Sequence, residues 1–278
     1  MLNQDQRAGF ERDGYIVIPD FKSAGEIARL RSRAAEIVND FDPNQRKIFT
    51  TRDQLAATDD YFLRSDNTIR CFFEEEAFDA QGQLRQDKSL SINKIGHALH
   101  DLDPVFENFS RDPKLAALAR SLGLNNPLVW QSMYIFKQPG IGGEVGWHQD
   151  ATFFDTTPVT VTTFWFALED ATLDNGCLWV EPGGHRGPMR ERFVRNGDDI
   201  KMEKLDSTPW PDASSAVPLE AKAGSLVCFH GLLPHYSAPN RSPVSRHAYT
   251  LHATDASAEY SPQNWIQRDA GFPVRGFI

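Results

Sequence analysis

The hydrophobic positions in the first part of the chain recur at helical spacing. Ser23 and Glu26 stand at the spacing of a capping box. The apolar residues that follow them predict one face of a helix: Ile27, Leu30, Ile37 and Val38. Asp112 at an N-cap position, with Pro113 next and Gly123 beyond the end, predicts a second helix. A short helix is also predicted before Gly14, followed by an apolar run at 15–18 and a strand around 68–75.

From Pro127 the pattern changes to a period of two. Short β-rich runs are separated by Pro, Gly, Asn and Asp, as in PLVWQSMYIFKQ, VTTFWFALED, GCLWVEPGG, AGSLVCFHG and SRHAYTLHA. LDNG between two of them is a tight-turn signal. Many short strands with such turns favour a sandwich or barrel over a parallel α/β sheet.

We therefore predict a mainly β fold with flanking helices, namely a double-stranded β-helix, or cupin-like jelly roll. Helical elements of about 1–126 are expected to pack on a β core of about 127–260, within a single domain that spans 1–278. The acidic segment 74–88 is predicted to be an exposed loop, and 186–217 shows little secondary-structure signal.

Composition and net charge argue against several classes of function. Lys and Arg total 29 against 38 for Asp and Glu, a formal net charge of -9, which argues against a nucleic-acid partner. The three cysteines form no CxxC pair, as expected in a reducing compartment. The polar N-terminus does not resemble a secretory signal, and no apolar run approaches the ~20 residues that span a bilayer. We expect a cytoplasmic protein with no membrane partner.

The stretch GGEVGWHQDATFF contains the first candidate for metal chemistry. On an extended backbone, His148 and Asp150 leave the same face, so an imidazole nitrogen and a carboxylate oxygen can hold one ion. An HxD triplet alone also arises often by chance. The later strands carry further histidines: His230, His235, His247 and His252. Two imidazoles and a carboxylate form the facial triad of non-haem Fe(II) sites.

Basic residues add a second signal. Arg246 lies eleven residues beyond His235, and a guanidinium inside a barrel can hold a dicarboxylate bidentately. Lys94, in SINKIGHALH, is a candidate for a second positive charge in the pocket, against the alternative of a solvated face.

The chain resembles the phytanoyl-CoA dioxygenase family of Fe(II)/2-oxoglutarate oxygenases. The similarity extends from FERDGYIVIPDF through SINKIGHALHDLDPVF, QSMYIFKQP, GGEVGWHQDATFF, EDATLDNGCLWVEPGGH and SRHAYTLH to SPQNWIQ. It implies that His148, Asp150 and His235 bind iron and that Arg246 pairs with the distal carboxylate of 2-oxoglutarate. The resemblance also implies positions near the co-substrate or pocket for Lys94, Met133, Trp165 and Ser257. For Trp165, a plain core position is an almost equal alternative.

The remaining histidines receive structural interpretations. His230 is the second candidate for a ligand but is expected in the core, and His247 should face away from Arg246. His252 shares the parity of Arg246 but lies too far along its strand to be favoured. His97 and His100 fit a helical face and are expected to pack or to cap a helix, and His185 is expected to tether a loop.

The expected activity is hydroxylation of an unidentified small organic substrate, with release of succinate and CO2. Fe(II) is the expected cofactor, with 2-oxoglutarate and O2 as co-substrates. The alternative is a cupin-like metal-binding protein or isomerase without oxygen chemistry, which would have no reason for an inward Arg246. The acidic 74–82 segment disfavours an acyl-CoA substrate if it lines the entrance. The sequence leaves the oligomeric state open.

Overall fold

A computed structural model describes residues 2–51, 58–197, 199–212 and 214–278. The helices are α1 (Gln4–Asp13), α2 (Ala24–Asp40), α3 (Asp60–Leu63), α4 (Leu99–Leu102), α5 (Pro104–Ser110) and α6 (Pro113–Ser121). The first eight strands are β1 (Tyr15–Ile18), β2 (Ile69–Phe73), β3 (Ile92–His97), β4 (Pro127–Ile135), β5 (Val145–His148), β6 (Thr156–Thr157), β7 (Thr162–Ala167) and β8 (Leu178–Val180). The others are β9 (Glu191–Asn196), β10 (Asp199–Lys204), β11 (Val217–Leu219), β12 (Leu226–His230), β13 (His235–Ser237), β14 (Ala248–Asp255) and β15 (Glu259–Tyr260).

The helix ends follow the local signals in the sequence. The Ser23 side chain accepts a hydrogen bond from the Glu26 backbone amide, and the Glu26 side chain accepts one from the Ser23 backbone amide. The predicted capping box therefore starts α2. Asp112 caps α6, and Gly14 ends α1 at a φ of 82°, a left-handed conformation that glycine adopts without strain. Among the helices of the described ranges, none combines the length and the apolar character required to cross a bilayer.

Two antiparallel sheets confirm the predicted jelly roll. The larger sheet has the strand order β1-β12-β7-β14-β4-β3-β2, and the smaller has the order β11-β8-β13-β5. Apolar residues of both sheets share one cluster, in which Trp165 and Phe229 from the larger sheet join Leu178 and Leu219 from the smaller. The inner faces of the sheets therefore pack on each other, and burial of this surface holds the two layers together.

The first 126 residues contribute more than helices. β1 pairs with β12 at one edge of the larger sheet, and β3 and β2 extend it beyond β4 at the other edge. The sequence did not predict β3, in which six consecutive residues are buried. Ile27 and Leu30 of α2 share the larger hydrophobic cluster with Phe166 of β7. This shared core supports the proposal of a single domain over 1–278, which stays a prediction.

Two segments differ from their predicted state. The 186–217 region contains an antiparallel pair, in which β9 and β10 run in register from Glu191↔Lys204 to Asn196↔Asp199. The acidic segment 74–88 is not wholly exposed, because Glu74 and Ala77 are fully buried. Hydrogen bonds explain how a carboxylate is accommodated there. Glu74 accepts from the side chain of Asn93 at 2.7 Å and from the Gly143 amide at 3.0 Å.

Glu74→Ala is expected to lower the free energy of unfolding by about 2–4 kcal/mol, because it leaves buried donors on Asn93 and Gly143 without an acceptor. Burial raises the pKa of Glu74 against the opposing effect of these hydrogen bonds. Urea denaturation of the purified variant measures the change. Glu75→Ala at the exposed neighbouring position is the control. Equal stability of the two variants would show that the buried hydrogen bonds of Glu74 do not stabilise the fold.

Candidate active site

A cavity of about 390 Å³ lies between the two sheets. Alternation along the strands decides which side chains line it, because every second residue of a strand faces the same side. Its lining includes Gln131, Met133 and Ile135 of β4, Thr163 and Trp165 of β7, and Thr250 and His252 of β14. The intervening residues, such as Tyr134 and Phe164, face the helix-covered core.

The predicted metal ligands meet at the smaller sheet. His148 is the last residue of β5, and Gln149 continues the extended backbone so that Asp150 keeps the same direction. His235 begins β13 directly opposite His148. Asp150 Oδ1 lies 3.7 Å from Nε2 of each histidine, and one ligand atom from each residue lies within 4.8 Å of the others. These three residues are the group of potential metal ligands found in the described part of the chain.

Hydrogen bonds at the outer edge of both imidazoles set their tautomers. His148 Nδ1 donates to the Gly146 carbonyl at 2.8 Å, and His235 Nδ1 donates to the Leu233 carbonyl at 3.0 Å. A carbonyl oxygen can only accept, so each Nδ1 carries the proton and each Nε2 keeps a free lone pair. Both lone pairs belong to the atoms that face Asp150 Oδ1. Two imidazole nitrogens and one carboxylate oxygen so arranged fit Fe(II) in a facial triad.

The second oxygen of Asp150 is held from the larger sheet. Thr163 donates its hydroxyl proton to Oδ2, and His252 Nε2 lies 3.4 Å from the same oxygen. Thr163 and His252 are direct cross-strand partners of β7 and β14. His252 was not favoured as a metal ligand because of its position along the strand, and the group of potential ligands in the described residues does not include it. It lies instead beside the carboxylate of a predicted ligand, Asp150, and its ring stacks on Phe154 with centroids 5.0 Å apart.

The electrostatics of His148 and Asp150 favour metal binding near neutral pH. Burial and the neighbouring His235 lower the pKa of His148 to about 3, so its imidazole is neutral. Burial acts to raise the pKa of Asp150, but His235 and His252 outweigh it and hold this pKa well below its usual range. Neutral imidazoles and an ionised carboxylate are the ligand forms that a divalent cation requires.

Arg246 is the second element of the site. It is only 2% exposed, its Nε donates to the Gly176 carbonyl at 3.1 Å, and its guanidinium carbon lies 5.4 Å from the centroid of the Trp165 ring. Nη1 is buried and has no hydrogen-bond partner within the described residues. Burial lowers the pKa of Arg246 to about 10, so the group remains charged at neutral pH. A buried charged donor without a partner fits an anionic ligand in the cavity.

Comparisons with known proteins identify the family. Residues 10–248 match the phytanoyl-CoA dioxygenase family. The phytanoyl-CoA dioxygenase of Arabidopsis thaliana is 48% identical over 268 residues, which cover 96% of this chain and 94% of that protein. The chain belongs to the phytanoyl-CoA dioxygenase family. Phytanoyl-CoA dioxygenase domain-containing protein 1 of Bos taurus is 46% identical over 282 residues, which cover 98% of this chain and 97% of that protein.

Solved structures agree on the fold. The carbocyclase SnoK from nogalamycin biosynthesis, a non-haem α-ketoglutarate-dependent enzyme, has a TM-score of 0.67 at 19% identity, over 99% of this chain and 96% of that chain. EctD from S. alaskensis with 2-oxoglutarate and 5-hydroxyectoine has a TM-score of 0.66 at 23% identity, over 100% of this chain and 87% of that chain.

Family membership makes the chain a 2-oxoglutarate-dependent non-haem iron dioxygenase. This confirms the enzyme class predicted from the sequence, together with Fe(II) as cofactor and 2-oxoglutarate and O2 as co-substrates. It also decides against the cupin-like alternative without oxygen chemistry.

The residues assigned to the co-substrate pocket by family resemblance do not all lie there. Lys94, Met133 and Trp165 line the cavity, as does Arg246. Ser257 does not, because it lies in the turn after β14, where its hydroxyl donates to Asp255 at 2.6 Å. Its expected pocket position is therefore wrong. That turn separates it from the inward-facing residues of β14.

Sequence reasoning missed one cation of the cavity. Lys137 lines it two residues after β4 ends, and its ammonium group donates to the Gly143 carbonyl at 2.6 Å and the Ser237 hydroxyl at 2.9 Å. Its even spacing of four residues from Met133 was the signal that could have placed it on the inner face.

The other histidines are distributed between core and cavity. His230 and His185 pack together with ring centroids 5.5 Å apart. His247 forms a hydrogen bond with the Tyr134 hydroxyl at 2.8 Å. His100 lies in α4 and bonds the Ser132 hydroxyl at 2.9 Å. These four lie outside the cavity lining. His97 instead ends β3 and lines the cavity, so its expected place on a helical face is wrong. Pairing of β3 with β4 overrides the local pattern.

Lys94 is buried without an ion-pair partner among the described residues. Its ammonium nitrogen lies 3.1 Å from the centroid of the Phe49 ring and 3.8 Å from Met133 Sδ. Burial lowers its pKa to about 7. An unfolded lysine keeps its ordinary pKa, so between pH 7 and about 10.5 the unfolded chain binds more protons than the folded one. In this window the lysine's destabilising effect diminishes as the pH rises.

Lys94→Met is therefore expected to stabilise the metal-free protein by about 2–4 kcal/mol at pH 7, with a gain that shrinks as the pH approaches 10. Urea denaturation at several pH values measures this dependence. Lys114→Met, at an exposed position of α6, is the control and should give no such trend. A gain that stays constant with pH would mean that the ammonium charge of Lys94 does not destabilise the fold.

Proposed function

We propose that the chain hydroxylates a small organic substrate, with conversion of 2-oxoglutarate to succinate and CO2. His148, Asp150 and His235 hold Fe(II), and Arg246 binds the distal carboxylate of 2-oxoglutarate. The observation that carries this proposal is a buried, partly unpartnered guanidinium in the same cavity as a His-Asp-His cluster. A site that bound metal alone would have no use for this buried charge.

Different residues of the cavity bind the metal and the co-substrate. Asp150 offers Oδ1 to the metal because Thr163 and His252 occupy Oδ2. Trp165 lies beside Arg246 and, with Met133, forms the apolar wall against which the carbon chain of 2-oxoglutarate packs. Lys94 adds positive charge near the two carboxylates of the co-substrate. When bound, iron with 2-oxoglutarate and O2 supplies the oxidising chemistry that places oxygen on a C–H bond.

A small substrate fits this cavity better than a complete acyl-CoA. Its volume of about 390 Å³ must accommodate 2-oxoglutarate as well as the reacting part of the substrate. The exposed Glu75 of the acidic segment would repel a polyanionic nucleotide near it. The substrate we propose is therefore a metabolite whose body enters the cavity. Cytoplasmic location and the absence of nucleic-acid partners stay predictions.

Anaerobic titration of the protein with Fe(II) and then 2-oxoglutarate tests the assignment of the site. Chelation of the iron by the 2-oxo acid should give a weak visible charge-transfer band, and air should then produce succinate. Incubation with a metabolite extract and isotopically labelled O2 should yield a product that carries the label. Iron binding without the band would leave a metal site with no co-substrate function, and labelled succinate without any labelled product would argue against hydroxylation.

A further inference from the structure

His97 lines the same cavity as the predicted metal ligands but is not one of that group. It ends β3 and is 1% exposed. Its ring contacts those of Phe62 and Trp265 with centroid distances of 5.5 Å and 5.2 Å, and both aromatic residues also line the cavity. Phe62 and Trp265 stack on each other at 4.8 Å. The imidazole is thus one polar group set in an aromatic part of the wall.

Ser65 determines the tautomer of this imidazole. The Ser65 hydroxyl donates its single proton to the Phe62 carbonyl at 2.5 Å. The same oxygen lies 2.7 Å from His97 Nδ1, where it can then only accept. His97 therefore carries its proton on Nδ1 and presents a lone pair at Nε2. Burial also lowers the pKa of His97 well below its ordinary value, so the ring is neutral at physiological pH.

His97 Nε2 and the side-chain amide of Gln131 are two polar groups of the cavity that can bond a ligand. Within the described ranges, the side chain of His97 forms its hydrogen bond through Nδ1, so Nε2 has no partner, and neither does the side-chain amide of Gln131. Gln131 faces the same cavity from β4 and is 5% exposed. Leaving such groups unsatisfied in an apolar wall is unfavourable unless a ligand or water bonds them. Neither group is needed to hold the metal or the distal carboxylate of 2-oxoglutarate.

We propose that His97 is a specificity-determining residue that accepts a hydrogen bond from a hydroxyl or N–H group of the primary substrate. The substrate class is then an apolar or aromatic molecule that carries a neutral hydrogen-bond donor. Its body packs on Phe62 and Trp265, and Gln131 bonds a second polar group. This inference rests on the proposed function, because it places the primary substrate beside the site described for iron and 2-oxoglutarate.

The test uses indole and 1-methylindole, two aromatic probes that differ in the N–H donor. Calorimetry under anaerobic conditions measures their binding to the protein loaded with Fe(II) and 2-oxoglutarate. A neutral hydrogen bond in a buried site predicts that indole binds about five- to tenfold more tightly. His97→Phe keeps the volume but removes the acceptor and should abolish this preference. His97→Gln retains an acceptor and should keep part of it.

Nitrogen-15 NMR of the protein loaded with Zn(II) and 2-oxoglutarate reports the tautomer independently of any variant. The expected signal is a neutral ring with the proton on Nδ1, and Ser65→Ala should allow both tautomers. A proton on Nε2, no saturable binding of either probe, or an indole preference unchanged in His97→Phe would overturn the inference. Absence of the 2-oxoglutarate charge-transfer band in the wild type would instead count against the proposed function. Failure of this inference and failure of the proposed function are therefore distinguishable.

Discussion

His235→Ala is expected to lose tightly bound iron and, with it, 2-oxoglutarate turnover. The change removes one of two imidazole nitrogens that face Asp150 Oδ1, and the remaining pair of ligands is a much weaker chelate. Iron content after gel filtration and succinate formation are the two measurements. Mutation of a residue that only orients a metal ligand typically lowers metal affinity by about 10- to 100-fold. Loss of a ligand itself should therefore lower iron occupancy at least about tenfold.

His230→Ala is the matched control for this prediction. His230 lies at the end of β12, close in sequence to His235, but its ring packs on His185 outside the cavity lining. Its pKa is lowered to about 4 by burial and by the neighbouring His185, so it is neutral in the folded protein. This variant should retain iron. Loss of iron in His230→Ala with retention in His235→Ala would reverse the assignment of the third ligand.

Arg246→Ala is expected to weaken 2-oxoglutarate binding with little loss of iron. Removal of one partner from a buried, charge-assisted pair with a carboxylate typically costs roughly 3–5 kcal/mol. Affinity should therefore fall by about two to four orders of magnitude, measured by anaerobic titration of the charge-transfer band. Arg246→Lys keeps the charge but not the fork of parallel donors, so it should recover only part of the affinity.

Arg241→Ala separates this effect from a general loss of positive charge. Arg241 is at the protein surface, where it pairs with Glu76 at 2.5 Å. An exposed pair of this kind contributes about 0–1 kcal/mol, so 2-oxoglutarate affinity should remain near that of the wild type. If Arg246→Ala also left the affinity unchanged, the anchor for the distal carboxylate would lie elsewhere, with Lys94 as the next cation in the cavity.

The contact between His252 and Asp150 shows where reading along one strand is insufficient. Arg246 precedes β14, and His252 lies six residues further along the chain, a spacing that did not favour it as a metal ligand. In the folded sheet, β14 lies beside β7, and His252 pairs directly with Thr163. Register between neighbouring strands therefore brings both side chains to the same oxygen of Asp150. Periodicity along one strand does not reveal that register, because the register depends on how strands distant in the chain pair.

Local rules explain what the sequence determined by itself. Side-chain caps at Ser23 and Asp112 act within one turn, so the starts of α2 and α6 follow from adjacent residues. Alternation fixes which residues of one strand share a face, which is why His148 and Asp150 point the same way. Family motifs spread along the chain then identified the enzyme class before any contact between distant residues was known.

Tertiary structure decided which faces meet. Pairing of β13 with β5 places His235 opposite His148, and pairing of β3 with β4 makes a strand of a segment in which the sequence predicted none. The same pairing brings His97 to the cavity, and Ser65, from a separate loop, fixes its tautomer. These outcomes depend on hydrogen bonds and burial between residues far apart in the chain. Propensity and periodicity describe only near neighbours, so they cannot supply that information.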